Sequence, residues 1–288
     1  MTHHDHGEHH ETGVVLLGPG DWTTALLLLG AVATYTYAVF RLHRRDVGWP
    51  KLRMTAWTLG CLSVGLALVG PLAIRAHDDF VAHMAGHVLL GMLGPLLLVL
   101  AAPGRLALRV LPVAAARHVA RVLASAPVAV LTNPFVAGVL NIGSLWILYR
   151  SGLYAAMHTE PLLHALVHVH VVAAGYLFTF AVLGGPDPAP HRPSPPWRVT
   201  ALVLAIAAHN VLAKTIYADP PEGVPVEQAQ AGAQFMYYVG APIEIALLVL
   251  VCRPWLLPRN RPPRLMRRCR TLHQQSGSRY RAVRALEP

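Results

Sequence analysis

The sequence predicts an all-α, polytopic membrane protein with seven transmembrane helices, its N-terminus outside and its C-terminus in the cytoplasm. Hydrophobic residues make up 54% of the chain and charged residues only 13%, whereas a soluble domain carries about 25% charged residues. Apolar runs follow one another, and most basic residues lie in the connections on one side of them. These observations predict one integral membrane domain without a long soluble insertion.

The seven apolar runs are each close to the roughly 20 residues that an α-helix needs to cross a bilayer. They lie at residues 22–40, 52–74, 80–102, 128–148, 162–183, 199–217 and 232–251. The first run is not expected to be a signal peptide, because no basic residue precedes it and a basic cluster follows it. The map predicts three parts: a histidine-rich extracytoplasmic tail at 1–20, the seven-helix domain at 21–253 and a basic cytoplasmic tail at 254–288.

The orientation follows from the basic residues in the connections. Of the 24 Lys and Arg residues, 21 lie on one side of the map, and the other side holds only Arg75, Arg150 and Lys214. Basic residues collect in cytoplasmic loops, so the C-terminus is predicted to be cytoplasmic. The formal charge of +10 is explained by attraction to anionic membrane lipid. We therefore expect lipid, and no nucleic acid, as a partner.

The N-terminal tail is rich in potential metal ligands. Residues 2–11 contain five His and three acidic residues at irregular spacing, and neutral imidazole is a common metal ligand. This composition predicts capture of a transition metal, although a polar tail without a role has the same composition.

Histidines inside the predicted spans are the strongest functional signal, because ionisable residues within a membrane are costly. His83 and His87 lie four residues apart in the third span, and His164 and His168 repeat this spacing in the fifth. Residues four apart share one helix face. His87 and His168, together with His209 of the sixth span, lie about 10 to 12 Å below the outer helix ends. The sequence therefore predicts a metal site in one outer layer; the alternative is interhelical hydrogen bonding.

Several nearby residues refine this prediction. Met236 is a further candidate ligand near the outer start of the seventh span, and soft thioether plus imidazole favours Cu(I), with zinc also possible. His170 points away from the His168 face and is expected to bond a backbone carbonyl or a neighbouring helix. His77 and His158 are candidates for supporting or uptake ligands. Glu244 is expected to lie far from the histidines, in an interhelical hydrogen bond.

Three motifs occur in order on the third, fifth and seventh spans. They are HMAGH at 83–87 with GPLL at 94–97 and AP at 102–103, HALVH at 164–168 with GPDP at 185–188, and EQ at 227–228 with Gly232, Met236, Gly240 and Pro242. The chain resembles CtaG-type cytochrome c oxidase assembly factors in these motifs, over about residues 22–253. It departs from the family at Val167, where a Glu is common, so no carboxylate is expected there to orient His168.

The resemblance implies a bacterial plasma-membrane protein that helps to mature haem-copper oxidase, with oxidase subunits as partners. It implies copper supply to outward-facing copper centres and no enzymatic activity. The residues themselves leave two alternatives open: a seven-helix membrane zinc hydrolase and a bis-His haem protein. A transporter is disfavoured because the inner halves of the spans are apolar except for Glu244. The sequence leaves the oligomeric state open.

Overall fold

The structure, a computed structural model, describes residues 19–184 and 187–256 and is entirely helical within them. Six helices there are long and apolar enough to cross a membrane: Gly20–His43, Lys51–Arg75, Phe80–Val110, Pro161–Leu183, Pro195–Ala218 and Val226–Arg253. The protein is thus a multi-pass membrane protein. The histidine-rich tail before residue 19 and the basic tail after residue 256 lie outside the described residues. The chain divides into two units, residues 1–251 and 252–288.

The described helices, in chain order, include fourteen α-helices and two π-helical segments. They are α1 (Pro19–His43), α2 (Lys51–Leu68), α3 (Pro71–Arg75), α4 (Phe80–His87), π1 (Val88–Leu93), α5 (Gly94–Leu100), α6 (Pro103–Val110), α7 (Val113–Leu123), α8 (Ala126–Leu131), α9 (Pro134–Gly138), π2 (Val139–Gly143), α10 (Ser144–Arg150), α11 (Leu153–Thr159), α12 (Pro161–Leu183), α13 (Pro195–Ala218) and α14 (Val226–Leu256).

The fourth predicted span is helical but interrupted. Helix α8 ends before Asn133, whose side chain accepts a hydrogen bond from the Phe135 backbone N–H and caps α9. Pro134 occupies the first turn of α9, where its missing N–H costs nothing. The continuous run over residues 134–150 is about 25 Å long, slightly less than the roughly 30 Å of a hydrocarbon core. Seven spans therefore stay a prediction beside the six described.

Two π-helical segments interrupt the longer helices. π1 begins directly after His87, and π2 follows α9. A π-helical turn holds an extra residue and rotates the side chains that follow it; such segments are frequent at functional sites. A methyl group at Gly175 of α12 would lie 2.4 Å from the Gly91 carbonyl oxygen of π1. A residue without a side chain is therefore required where α12 crosses π1.

The two ends of the helices differ in their charges. We call the end with His77 and His158 the histidine side, and the opposite end the arginine side. On the arginine side, Arg198 is buried and donates hydrogen bonds to the last carbonyls of α12. On the histidine side, Arg150 pairs with the Asp219 carboxylate. This pairing accounts for one of the three basic residues on that side.

Candidate functional site

The predicted site residues lie in two groups. The rings of His164 and His168 have centroids 4.4 Å apart, and those of His87 and His209 have centroids 6.0 Å apart. Within the described residues, no three His, Cys, Asp or Glu side chains lie close enough to hold a metal ion together. The potential metal ligands therefore form smaller sets, which lie at different depths along the helices.

The outer group consists of four imidazoles at the histidine side: His77, His158, His164 and His168. The His77 ring stacks on the His164 ring at 5.1 Å, and the His158 ring lies 6.4 Å from it. Helices α3, α11 and α12 and their connections thus bring together residues far apart in the sequence. His77 and His158 therefore lie beside the predicted ligand His164, and their role as supporting or uptake ligands stays a prediction.

Backbone contacts orient two of these rings. Nδ1 of His77 lies 3.2 Å from the Ala73 carbonyl oxygen, and Nδ1 of His158 lies 2.8 Å from that of Tyr154. A carbonyl oxygen only accepts, so Nδ1 donates in each case, and the neutral ring then keeps its lone pair on Nε2. Each ring can therefore present Nε2 to a cation.

His83 lies between the two groups and already has a partner. Its Nε2 atom is 3.0 Å from the buried Tyr149 hydroxyl. The Tyr154 ring packs edge-on against His83 at 5.0 Å. Burial raises the pKa of Tyr154, on the short helix α11, to about 12, so its hydroxyl stays protonated at neutral pH. Tyr149 was not identified from the sequence, because it belongs to an apolar-looking segment.

A cavity of about 30 Å³ is lined by His83, His87 and His168. The prediction that His83 and His87 share a helix face is therefore confirmed, because both border the same space. The same cavity brings His83 and His87 of α4 beside His168 of α12.

The inner group consists of His87, His209 and Glu244. His87 and His209 are 7% and 3% exposed, and the Nε2 atom of each has no hydrogen-bond partner. Nδ1 of His209 lies 2.8 Å from Oε1 of Glu244, although its direction falls short of a hydrogen bond. The Asn210 amide donates to Oε2 of Glu244 at 3.2 Å. The carboxylate thus favours the proton on Nδ1 of His209. The lone pair on Nε2 of His209 is then available to bind a cation.

Glu244 corrects the sequence-based picture. Its interhelical hydrogen bond was predicted and is confirmed, but its expected distance from the histidines was wrong. Helices α13 and α14 run antiparallel, since His209 adjoins Gly240 and Lys214 lies over Tyr237. Side chains lean toward the N-terminus of their own helix. His209 and Glu244 therefore lean toward each other and close a depth difference of about one helical turn.

The inner group borders a second cavity of about 40 Å³, which is also lined by Met92, Asn141 and Thr179. Sequence analysis missed all three. Met92 lies five residues after His87, a spacing that a regular α-helix does not place on one face. Met92 lies within the π-helical segment π1, which begins after His87 and changes this relation. A cavity of this volume can hold water or a single ion.

Met236 and His170 belong to neither histidine group and lie in different surroundings. Met236 is fully buried in the apolar core and lines neither of the two cavities described. Nε2 of His170 lies 3.2 Å from the Leu140 carbonyl oxygen. The expectation that His170 faces elsewhere and bonds a backbone carbonyl is confirmed.

Comparison with known proteins adds the biological context. Uncharacterized proteins of Mycobacterium bovis and Mycobacterium tuberculosis are each 35% identical to the chain over 191 residues, which cover 62% of the chain and 28% of the relative. An uncharacterized protein of Mycobacterium leprae is 32% identical over 179 residues, 57% of the chain and 27% of the relative. The chain thus matches little more than a quarter of these relatives' length. No solved structure matches it.

The family described as cytochrome c oxidase caa3 assembly factor (Caa3_CtaG) matches residues 33–257. This range begins within α1 and extends past the end of α14, and it includes both histidine groups. The match covers most of the chain and agrees with the resemblance in the sequence motifs. The chain belongs to the cytochrome c oxidase caa3 assembly factor family.

Proposed function

We propose that this protein supports cytochrome c oxidase assembly by taking up Cu(I) at the outer group and passing it toward the oxidase. Copper is the cargo in this proposal and not a resident cofactor. Family membership supports the assembly role in general. Copper binding and delivery rest on the chemistry of the side chains.

The observation that carries the proposal is the set of four imidazoles at the histidine side. His164 and His168 are four residues apart on α12, and His77 and His158 approach them from the connections. His77 is exposed to solvent and the other three are partly buried, so a cation can reach this set. His83 and His87 border the next cavity inward, beside His168.

The types and number of metal-ligating side chains favour Cu(I) over zinc. Zinc sites use about four ligands in a closed tetrahedron, or three with a water. No such group of three His, Cys, Asp or Glu side chains is found in the described part of the chain. Cu(I) accepts two or three ligands, and neutral imidazole and thioether suit it. The proposed capture ligands are His164 and His168, with His83, His87 and His209 farther inward. Met236, the thioether candidate from the sequence, lines neither of the two cavities and is left out of this ligand set.

Complementation tests this function. A strain that lacks the protein is complemented with the wild type or with a His164→Ala, His168→Ala double variant. We expect the double variant to insert into the membrane normally, because its rings are only partly buried. Oxidase activity and oxidase-bound copper should fall several-fold at low copper and recover partly when copper is added.

His170→Ala is the matched control, since it removes the same side chain from the same helix but away from the outer group. It should retain oxidase activity at all copper levels. Equal oxidase copper in the double variant and the wild type would contradict the proposal. Purified protein that carries haem, or zinc together with lipid hydrolysis, would favour the two alternatives instead.

A further inference from the structure

We infer that the inner cavity is a second Cu(I) site, separate from the outer group, formed by Nε2 of His87, Nε2 of His209 and the Met92 thioether. This inference deepens the proposed function and rests on it for the identity of the cargo. Glu244 is a positioning residue in it, because it acts through His209.

The first support is the pair of unused nitrogen atoms. Both imidazoles are more than nine-tenths buried, and Nε2 of each has no partner. Buried polar atoms are nearly always hydrogen-bonded, so two such atoms on residues that line one cavity point to an occupant, a water molecule or an ion. Two metal–nitrogen bonds of about 2 Å, added to the ring radii, would place the centroids of two ligating imidazoles about 6 Å apart. The observed separation of 6.0 Å fits a bridging cation.

The second support is the carboxylate beside His209. Histidines that bind metals usually direct their other ring nitrogen at a carboxylate or carbonyl, which sets the tautomer and raises the basicity of the ligating nitrogen. Glu244 lies 2.8 Å from Nδ1 of His209 and is itself held by the Asn210 amide. The pair therefore has the contact distance that a metal-binding histidine makes with a carboxylate, without its hydrogen-bond direction.

The third support is the thioether. A Cβ atom added to Gly240 would lie 3.4 Å from Cε1 of His209 and 3.5 Å from Sδ of Met92. The sulfur and the imidazole are therefore neighbours at the same place on α14. The segment π1 carries Met92, and π2 carries Asn141, so both described π-helical segments border this cavity. A soft sulfur beside imidazoles favours a soft monovalent ion over water or a hard cation.

His87 connects the inner site to the outer group. It lines the inner cavity and also the cavity that His83 and His168 border. A Cu(I) ion can therefore pass from the outer imidazoles to the inner site by exchange of ligands, without a change in oxidation state. The inner site is the deeper of two positions on this route.

The test uses the full-length protein purified in detergent. Ag(I), a redox-inert probe for Cu(I), and Cu(I) kept reduced with ascorbate are titrated against a chromogenic chelator. We expect His209→Gln to bind one ion fewer than the wild type, because any ions held by the histidine-rich tail are common to both proteins. Glu244→Gln should bind as many ions as the wild type but weaken the inner one about 10- to 100-fold. Thermal unfolding confirms that each variant is folded.

X-ray absorption at the copper edge tests the sulfur ligand. Met92→Leu, a change that nearly conserves volume, should abolish the copper–sulfur scattering, whereas Met236→Leu should leave it intact. An equal number of bound ions in His209→Gln and the wild type, or sulfur scattering that survives Met92→Leu, would overturn the inner site. Loss of an ion in His164→Ala without a loss in His209→Gln would also overturn it.

These measurements are independent of the assembly role. If the double variant of the outer group supports normal oxidase assembly while His209→Gln still loses one ion, the proposed function fails and the inner site stands. If the double variant of the outer group lowers oxidase activity but His209→Gln binds as many ions as the wild type, the inner site is wrong and the proposed function stands.

Discussion

At the scale of single residues, most buried polar groups in the described part of the chain have partners. Glu244 accepts a hydrogen bond from the Asn210 amide, and one guanidinium nitrogen of Arg198 donates to two helix-terminal carbonyls. Asp187 accepts hydrogen bonds from the backbone N–H groups of Gly104 and Arg105, at the start of α6. The buried nitrogens without a hydrogen-bond partner are Nε of Arg198, Nε2 of His87 and both ring nitrogens of His209. The two histidines line the inner cavity, which is why their nitrogens indicate a binding site.

Asp187 provides a prediction at this scale. Burial raises the pKa of its carboxyl group above the usual range, although the two backbone N–H groups oppose this shift. Asp187→Ala should lower the free energy of unfolding by about 1 kcal/mol, because it leaves the two N–H groups at the α6 start without an acceptor. The midpoint of thermal unfolding in detergent measures the effect. Asp187→Asn keeps an acceptor and should lose less; equal losses in both variants would contradict this assignment.

At the scale of secondary-structure elements, the π-helical segments decide which side chains meet. His87 precedes π1 and Met92 lies within it, and both residues line the inner cavity. Helix α12 crosses π1 at Gly175, where the Gly91 carbonyl oxygen and the Pro95 ring leave no space for a methyl group. The close crossing therefore holds π1 against α12 and keeps the turn that presents Met92.

Gly175→Ala tests the importance of this crossing. The added methyl group would meet backbone atoms, which cannot move without shifting a helix, so we expect a loss of about 1 to 3 kcal/mol in the free energy of unfolding. Thermal unfolding in detergent again measures it. Gly30→Ala in α1 is the control, because an added Cβ there meets no atom within 4 Å and a helical Ala is favoured over Gly. If both variants unfold at the same temperature, α12 does not depend on a close approach to π1.

At the scale of the whole molecule, the sequence-based map places most basic residues on one side of the membrane and the outer imidazoles on the other. In the described residues, the four outer imidazoles lie together at the histidine side. Cavities lined by histidine follow one another inward from the histidine side. This arrangement suits a protein that receives a cation on one face of the membrane and holds it within the helices.

The orientation in the membrane is the prediction at this scale. A green fluorescent protein fused after Glu287 should fluoresce, and alkaline phosphatase at the same place should be inactive, because the basic residues retain the C-terminus in the cytoplasm. The same two reporters inserted in the connection at 219–225 should behave in the opposite way. A tag before His3 should be accessible from outside. Phosphatase activity at the C-terminus would show that the histidine side faces the cytoplasm.

The sequence by itself determined the class of this protein, the separation of its charges and its family. Hydropathy and charge are properties of each segment alone, so they can be read without knowing how the segments pack. The same holds for pairs within one helix, such as His164 and His168, whose contact follows from helical spacing. The placement of His170 on another helix face could also be predicted, because it follows from the spacing of residues within one helix.

Only the tertiary structure decided how the helices combine their side chains. The division of the histidines into two groups, the approach of Glu244 to His209 and the hydrogen bond of Tyr149 to His83 all depend on the relative rotation and height of neighbouring helices. No periodicity within a single segment carries that information. Met92 was missed for a related reason: a π-helical turn is an irregularity of packing, and it changes which residues share a face.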